Sequence, residues 1–189
     1  MDRTYAFEDT LNVTDWFNQG AEPIWVRAIN QERKAGTIMY PGCNVDIGGV
    51  EPTKRVMNTP WHWFNYPLTQ GVDDAVSWLK EDDFDLVLLY WGQPDSAHHE
   101  WGVGDPRTLE VVHQVDDYVG YLFDKLESEG LSDFTDVIIV SDHGHVNLDP
   151  DKHISIYDYV DPEDVRMLVA DYGPLFQLDP KEGQMDKVI

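Results

Sequence analysis

Two short clusters carry the residue types best suited to chemistry. The first is Pro94-Asp95-Ser96-Ala97-His98-His99 and the second is Ser141-Asp142-His143-Gly144-His145. Carboxylate oxygens and imidazole nitrogens together suit Zn²⁺, with Mn²⁺ or Fe²⁺ as weaker alternatives. The absence of cysteine from both clusters speaks against a purely structural zinc knot. Asp95 and His99 are four apart, so a helical turn after Pro94 would put both on one face. Asp142 and His143 are adjacent, and at a turn both can point at a common centre. Two carboxylates and two imidazoles shared between two segments suit a pair of ions a few ångströms apart, which can clamp the attacking and leaving oxygens of a phosphate. The same residue types also cap helices and satisfy loop backbone, and spacing alone leaves that reading open. His98 could compete with His99 as a ligand. His145 could add one, or be a partly buried turn residue bonded to backbone.

Both clusters hang on apolar runs. Asp85-Leu-Val-Leu-Leu-Tyr-Trp91 and Asp136-Val-Ile-Ile-Val140 read as strands buried on both faces, the kind found in parallel sheets. Gly92 and Pro94 break the first run, and Gly144 turns the second. The clusters then emerge past the carboxyl ends of two strands, where open α/β sheets place their ligands.

The rest of the chain supplies the frame. Pro23 opens a helix reaching Gln31, Gly36 closes it, and Thr37-Ile-Met-Tyr40 is a short strand ending at Pro41-Gly42. Residues 48–68 read as an irregular excursion containing Trp61, His62, Trp63, Phe64 and Tyr66. These aromatics either pack the loop onto the core or line a pocket, where with Tyr40 they could meet a quaternary ammonium. An amphipathic helix spans 71–82. The longest helix starts at Asp105-Pro106 and stops near Gly130, with Leu109, Val112, Val115, Val119, Leu122 and Leu126 as a core stripe. His113 lies off that stripe, and His113 and His153 both read as plain, partly exposed residues. Asp161-Pro162 opens a short helix, 168–172 and 175–178 can pair as strands, and a helix begins near Glu182. Helices alternating with buried strands make an α/β fold.

Bulk composition narrows the function. The 189 residues suit one domain, and 42% hydrophobic with 12% aromatic is globular. Acids outnumber bases 36 to 13, for a net charge of −23, which argues against binding a nucleic-acid polymer. No run approaches a membrane span of roughly 18 apolar residues, and residues 1–10 show no apolar signal region. Cys43 is the one cysteine, so an internal disulfide is excluded and a small buried hydrophobe is its plain reading. Asn12-Val13-Thr14 fits the glycosylation sequon.

Pro94-Asp95-Ser-Ala-His-His99 with Trp101-Gly102 resembles the Pro-Asp-x-x-Gly-His-x-x-Gly segment of the nucleotide pyrophosphatase/phosphodiesterase family. Ser141-Asp-His-Gly144 resembles its Ser-Asp-His-Gly-Met segment. Pro23-Ile-Trp-Val, Gln114-Val-Asp-Asp-Tyr-Val-Gly120, Tyr40-Pro-Gly-x-Asn44-Val, Asp171-Tyr-Gly-Pro and Pro180-Lys-Glu-Gly extend the likeness over nearly the whole chain. The last three most resemble the choline-type branch, which includes alkaline sphingomyelinase. The resemblance implies an α/β, alkaline-phosphatase-like domain, here partial, with a mostly parallel sheet between helices. It implies a two-zinc site in which Asp95 and His99 hold one ion while Asp142 and His143 hold the other. The implied reaction is hydrolysis of a small-molecule or lipid phosphodiester through a covalent threonine intermediate, in an extracellular or cell-surface protein. Such a metal would assist alkoxide formation and neutralise phosphoryl charge. Another alkaline-phosphatase superfamily hydrolase, or a non-catalytic phosphate- or choline-binding remnant, is the alternative.

The chain also departs from that pattern. The family site needs an early Asp, a nucleophilic Thr and a late His near a His-Gly segment, and Thr4, Thr10 and Thr14 lack the nucleophile's context. The expectation is therefore a slice of a catalytic domain, 1–189, that lacks the nucleophile and is inactive alone. His98 stands where the pattern has Gly, and would be strained if that position demands positive φ. His145 stands where it has Met.

Overall fold

A computed structural model of the chain describes residues 11–152, 154–169 and 177–188. They fall into two compact units, 1–146 and 147–189. The first contains α1 (Thr14–Phe17), α2 (Ile24–Asn30), β1 (Ala35–Ile38), β2 (Lys54–Val56), α3 (Pro60–Asn65), α4 (Leu68–Lys80), β3 (Leu86–Leu89), α5 (Asp95–Trp101) and α6 (Pro106–Ser128). Its sheet has the order β2-β1-β3 with both pairs parallel, Ala35 opposite Leu86 and Ile38 opposite both Leu89 and Val56.

Period two along β1 and β3 explains why helices cover both sheet faces. Ala35, Leu86 and Leu88 point to one side, into a cluster with Trp25 and Val26 of α2. Ile38, Val87 and Leu89 point to the other, where Ala75 and Trp78 of α4 meet Phe84. All four residues of β1 are buried, so the central strand has no wet face.

Gly36 lies inside β1 and does not close α2, as the sequence suggested. Its reason is contact: a Cβ there would sit 2.5 Å from Cε3 of Trp78, so the indole needs bare backbone beneath it. The same holds at Gly71, inside α4, where a Cβ would lie 2.9 Å from Cδ1 of Leu89. The helix accordingly starts at Leu68, earlier than its amphipathic pattern indicated.

Residues 48–68 are more ordered than expected. They contain the edge strand β2 and also α3, whose cap Thr59 accepts from the backbone N–H of His62 and lies 2.7 Å from His62 Nδ1. The ring contact of Tyr40 is an edge-on one with Trp25, at 5.6 Å. Cys43 is buried and unbridged, and burial pushes its thiol pKa up.

The long helix behaves as its end signals dictate. Asp105 accepts from the backbone N–H of Arg107, and at the far end Gly130 takes φ +72° while the Leu131 N–H reaches the Leu126 carbonyl at 2.8 Å. Its stripe is only partly used. Leu126 packs with Val72 and Val76 and Leu122 lies against them, whereas Leu109 and Val112 are exposed. The second apolar run departs further. No strand forms over 136–140 among the described residues, and Ile138, Ile139 and Val140 are exposed, although Val137 packs beside Leu126. A strand needs a hydrogen-bonded neighbour as well as apolar side chains, and no described segment supplies one here.

In the second unit, β4 (Val165–Val169) and β5 (Gln177–Pro180) pair antiparallel. The first strand begins three residues before the expected 168, and the second is described from Gln177 to Pro180. Asp161 caps a short 3₁₀ turn, Pro162–Asp164, and α7 covers Met185–Val188. His153 and the segment 171–174 lie outside the described residues.

Two measurements check this frame. Gly36→Ala should destabilise the protein by about 1–3 kcal/mol through overpacking against Trp78, read as a lower chemical-denaturation midpoint; an unchanged midpoint would refute the close-contact account. The second concerns Asp105, whose carboxyl pKa is held down at about 2 by the Arg107 guanidinium and then the Arg107 N–H. An unfolded Asp titrates near ~3.9, so the stabilisation is present above that pH and is lost as pH falls toward 2. Melting temperatures of wild type and Asp105→Asn should therefore differ at pH 6 and converge toward pH 2. A gap constant with pH would show that the charge is not the cause.

Candidate metal centre

The site is built on the end of β3. The Tyr90 N–H donates to the Ile38 carbonyl at 3.0 Å, extending the ladder one residue past the strand. The chain then turns through Gly92 and Pro94 into α5, whose first residue is Asp95. The turn after Pro94 is thus helical, and His99 sits one turn above Asp95, with Nε2 3.4 Å from Asp95 Oδ1. His98 lies in the same helix without a positive φ, so the strain expected for a residue in a glycine position does not arise.

The long helix holds α5 in place. Thr108, fully buried in the first turn of α6, has its hydroxyl 2.9 Å from the Gly102 carbonyl and 3.3 Å from that of Ala97. Trp91, in the turn leaving β3, packs its ring on Tyr118 at 5.3 Å. Lower down, Asp73 of α4 takes a hydrogen bond from Tyr121 and an ion pair from Lys125, both at 2.8 Å, and its pKa is lowered by them.

The second cluster arrives as a turn. The Ser141 hydroxyl donates to the His143 carbonyl at 2.5 Å, and the His143 N–H donates to Asp142 Oδ1 at 3.0 Å. His143 Nδ1 lies 3.1 Å from the Gly144 carbonyl. A carbonyl can only accept, so Nδ1 carries the proton and a neutral ring presents the lone pair of Nε2 to a ligand.

The two clusters meet at one oxygen. Around Asp95 Oδ1 stand Nε2 of His145 at 3.2 Å, of His99 at 3.4 Å and of His143 at 3.6 Å. Ligand atoms of Asp95, His99 and His145 all lie within 4.8 Å of one another. Donors bound tetrahedrally to one zinc at its usual bond lengths stand about 3.3 Å apart. The Asp95 contacts have that size, and a carboxylate with imidazoles is a zinc donor set, so the residues fit the ion. Asp142 is looser: its side chain is 73% exposed and its Oδ2 lies 3.7 Å from His143 Nε2. Beside them Tyr90 is half-buried. Its phenol pKa is raised by burial, and then by the charges of Asp142 and Asp95.

Of the sequence candidates, Asp95, His99 and His143 are thus gathered, Asp142 stands at the margin, and His145 is drawn in beyond the four. Its signal was position alone, two residues past His143. Tyr90 carries no such signal, since it reads as one more apolar residue of a buried strand.

The whole of this chain, residues 1–189, matches the type I phosphodiesterase/nucleotide pyrophosphatase family. The chain belongs to that family. It is 36% identical over 188 residues to ectonucleotide pyrophosphatase/phosphodiesterase family member 7 of Homo sapiens, covering 96% of this chain and 41% of that protein. It is 30% identical to the bis(5'-adenosyl)-triphosphatase enpp4 of Xenopus laevis, over 85% of this chain and 35% of that one. The murine ectonucleotide pyrophosphatase/phosphodiesterase 5 superposes with a TM-score of 0.76 at 29% identity, over 88% of this chain and 43% of that structure. An inactive variant of that murine protein has been solved in complex with AMP. The fold is accordingly the alkaline-phosphatase-like α/β type, with a parallel sheet flanked by helices. The chain spans about two-fifths of the length of these relatives.

The link from α6 to α5 gives a direct check. Thr108→Val keeps the shape but strips the buried Ala97 and half-buried Gly102 carbonyls of the hydroxyl donor, at a cost of about 1–3 kcal/mol. The denaturation midpoint should fall accordingly; a midpoint within error of wild type would mean that the hydroxyl does not hold α5.

Proposed function

We propose that this chain carries the metal-holding part of a zinc-dependent phosphodiester hydrolase. Asp95 and His99 take one ion, and Asp142 and His143 take the other. The observation that carries the reading is the convergence of three imidazole nitrogens on one oxygen of Asp95, in a chain that belongs to a phosphodiesterase family. Bound zinc would supply Lewis acidity and positive charge for a phosphoryl group. The chain's own residues do the positioning. Helix α5 sets the spacing of Asp95 and His99, and the Gly144 carbonyl keeps His143 in the tautomer that can ligate. No residue here is assigned as the nucleophile.

The substrate class is a small-molecule or lipid phosphodiester. Likeness of Tyr40-Pro-Gly-x-Asn44-Val, Asp171-Tyr-Gly-Pro and Pro180-Lys-Glu-Gly to the choline-type branch favours choline phospholipids, including sphingomyelin. The AMP complex of the murine relative favours nucleotides. The ecto-enzyme relatives support an extracellular or cell-surface location. Among the described residues no helix is long and apolar enough to cross a membrane.

Calorimetric titration tests the reading. Zinc should bind the wild type, and Asp95→Asn and Asp142→Ala should each weaken it at least about tenfold. Zinc-loaded protein should then bind AMP or phosphocholine, and EDTA should abolish that binding. Wild type that takes up no zinc above background, or variants that bind it equally, would remove the hydrolase reading. Whichever of the two phosphate esters binds tighter names the branch.

A further inference from the structure

The two substitutions against the family pattern, His98 for Gly and His145 for Met, are one feature in space. His98 and His145 stack at 4.4 Å between ring centroids with 21° between planes. His98 Nδ1 is buried and, among the described residues, has no hydrogen-bond partner, so that ring acts as a packing surface. His145 is wedged between it and the edges of His99, at 5.6 Å, and His143, at 5.0 Å. The side chain of His145 is 19% exposed, against 61% for His99 and 51% for His143. Its Nε2 is the imidazole nitrogen nearest to Asp95 Oδ1, at 3.2 Å. It belongs to the mutually close set with Asp95 and His99, from which His143 stands apart.

We propose that His145 is a third protein ligand to the ion held by Asp95 and His99. The inference rests on the zinc reading above and adds to it a ligand that the family's methionine does not provide. A carboxylate with two imidazoles is a three-point grip that leaves one position of a tetrahedron open, the pattern of catalytic zinc sites. A ring already fixed by a stack loses little freedom on ligation, which favours binding. The consequence is a site for one divalent ion contained wholly within residues 95–145, filled before any second ion at Asp142 and His143.

The test is zinc titration of wild type, His145→Met and Asp95→Asn, with thermal melting of each zinc-free protein as a folding control. Long-range ¹H–¹⁵N spectra of the histidine rings in the wild type follow the same titration. One equivalent of zinc should move the ring nitrogens of His99 and His145 first, and His145→Met, which keeps the bulk but offers zinc a weak thioether, should bind at least about tenfold more weakly. Wild-type affinity in His145→Met, or His145 nitrogens that stay put while those of His99 move, would overturn the third ligand and leave the Asp95–His99 reading intact. A wild type that takes up no zinc, or an Asp95→Asn variant that binds as the wild type does, would overturn both.

Discussion

The pairing of β1 with β3 is the constraint on which the remainder depends. Four register positions, from Ala35–Leu86 to Ile38–Leu89, fix where the second strand ends, and the Tyr90–Ile38 hydrogen bond fixes it once more. The first half of the site, Asp95 and His99, follows within nine residues of Tyr90. Because β1 is buried throughout, it cannot slide: a one-residue slip would send Ala35 toward Trp78 and Ile38 toward Trp25. The indole of Trp78 lying on Gly36 locks the register from one side. A centre whose donors must agree to a few tenths of an ångström needs such a base.

On that base the site is assembled from two kinds of backbone. Helix α5 is rigid and anchored by Thr108, so the Asp95–His99 pair is preset. The 141–145 turn is held by its own local hydrogen bonds, and Asp142 remains largely in water. The difference matches the two anchors: one half is tied to the buried Thr108, the other to its own turn and to the stack of His145 on His98.

Much of this was legible in the residues. The continuous apolar run at 86–89, the Asp105-Pro106 start, the Gly130 stop and the four-residue spacing of Asp95 and His99 each encode a local backbone preference, and local preferences survive folding. What was hidden depended on neighbours. Gly36 read as a helix stop because nothing nearby in sequence reveals Trp78 above it. The 136–140 run read as a strand because its side chains suit one, while the missing quantity was a partner. His145 stayed open between ligand and turn residue because its closeness to Asp95, fifty residues earlier, exists only in the folded chain. The polar edge strand Lys54-Arg55-Val56 is too short to show an alternation at all.

The bare apolar stretch at Ile138, Ile139 and Val140 has a colloidal consequence. Such a surface is adhesive toward its own copies, and here it rides on a molecule carrying 23 excess negative charges. At low ionic strength mutual repulsion keeps the molecules apart, whereas near 1 M salt the Debye length shrinks to about 3 Å and that protection ends. Salt concentration thus becomes the variable that decides whether solutions of this chain stay clear.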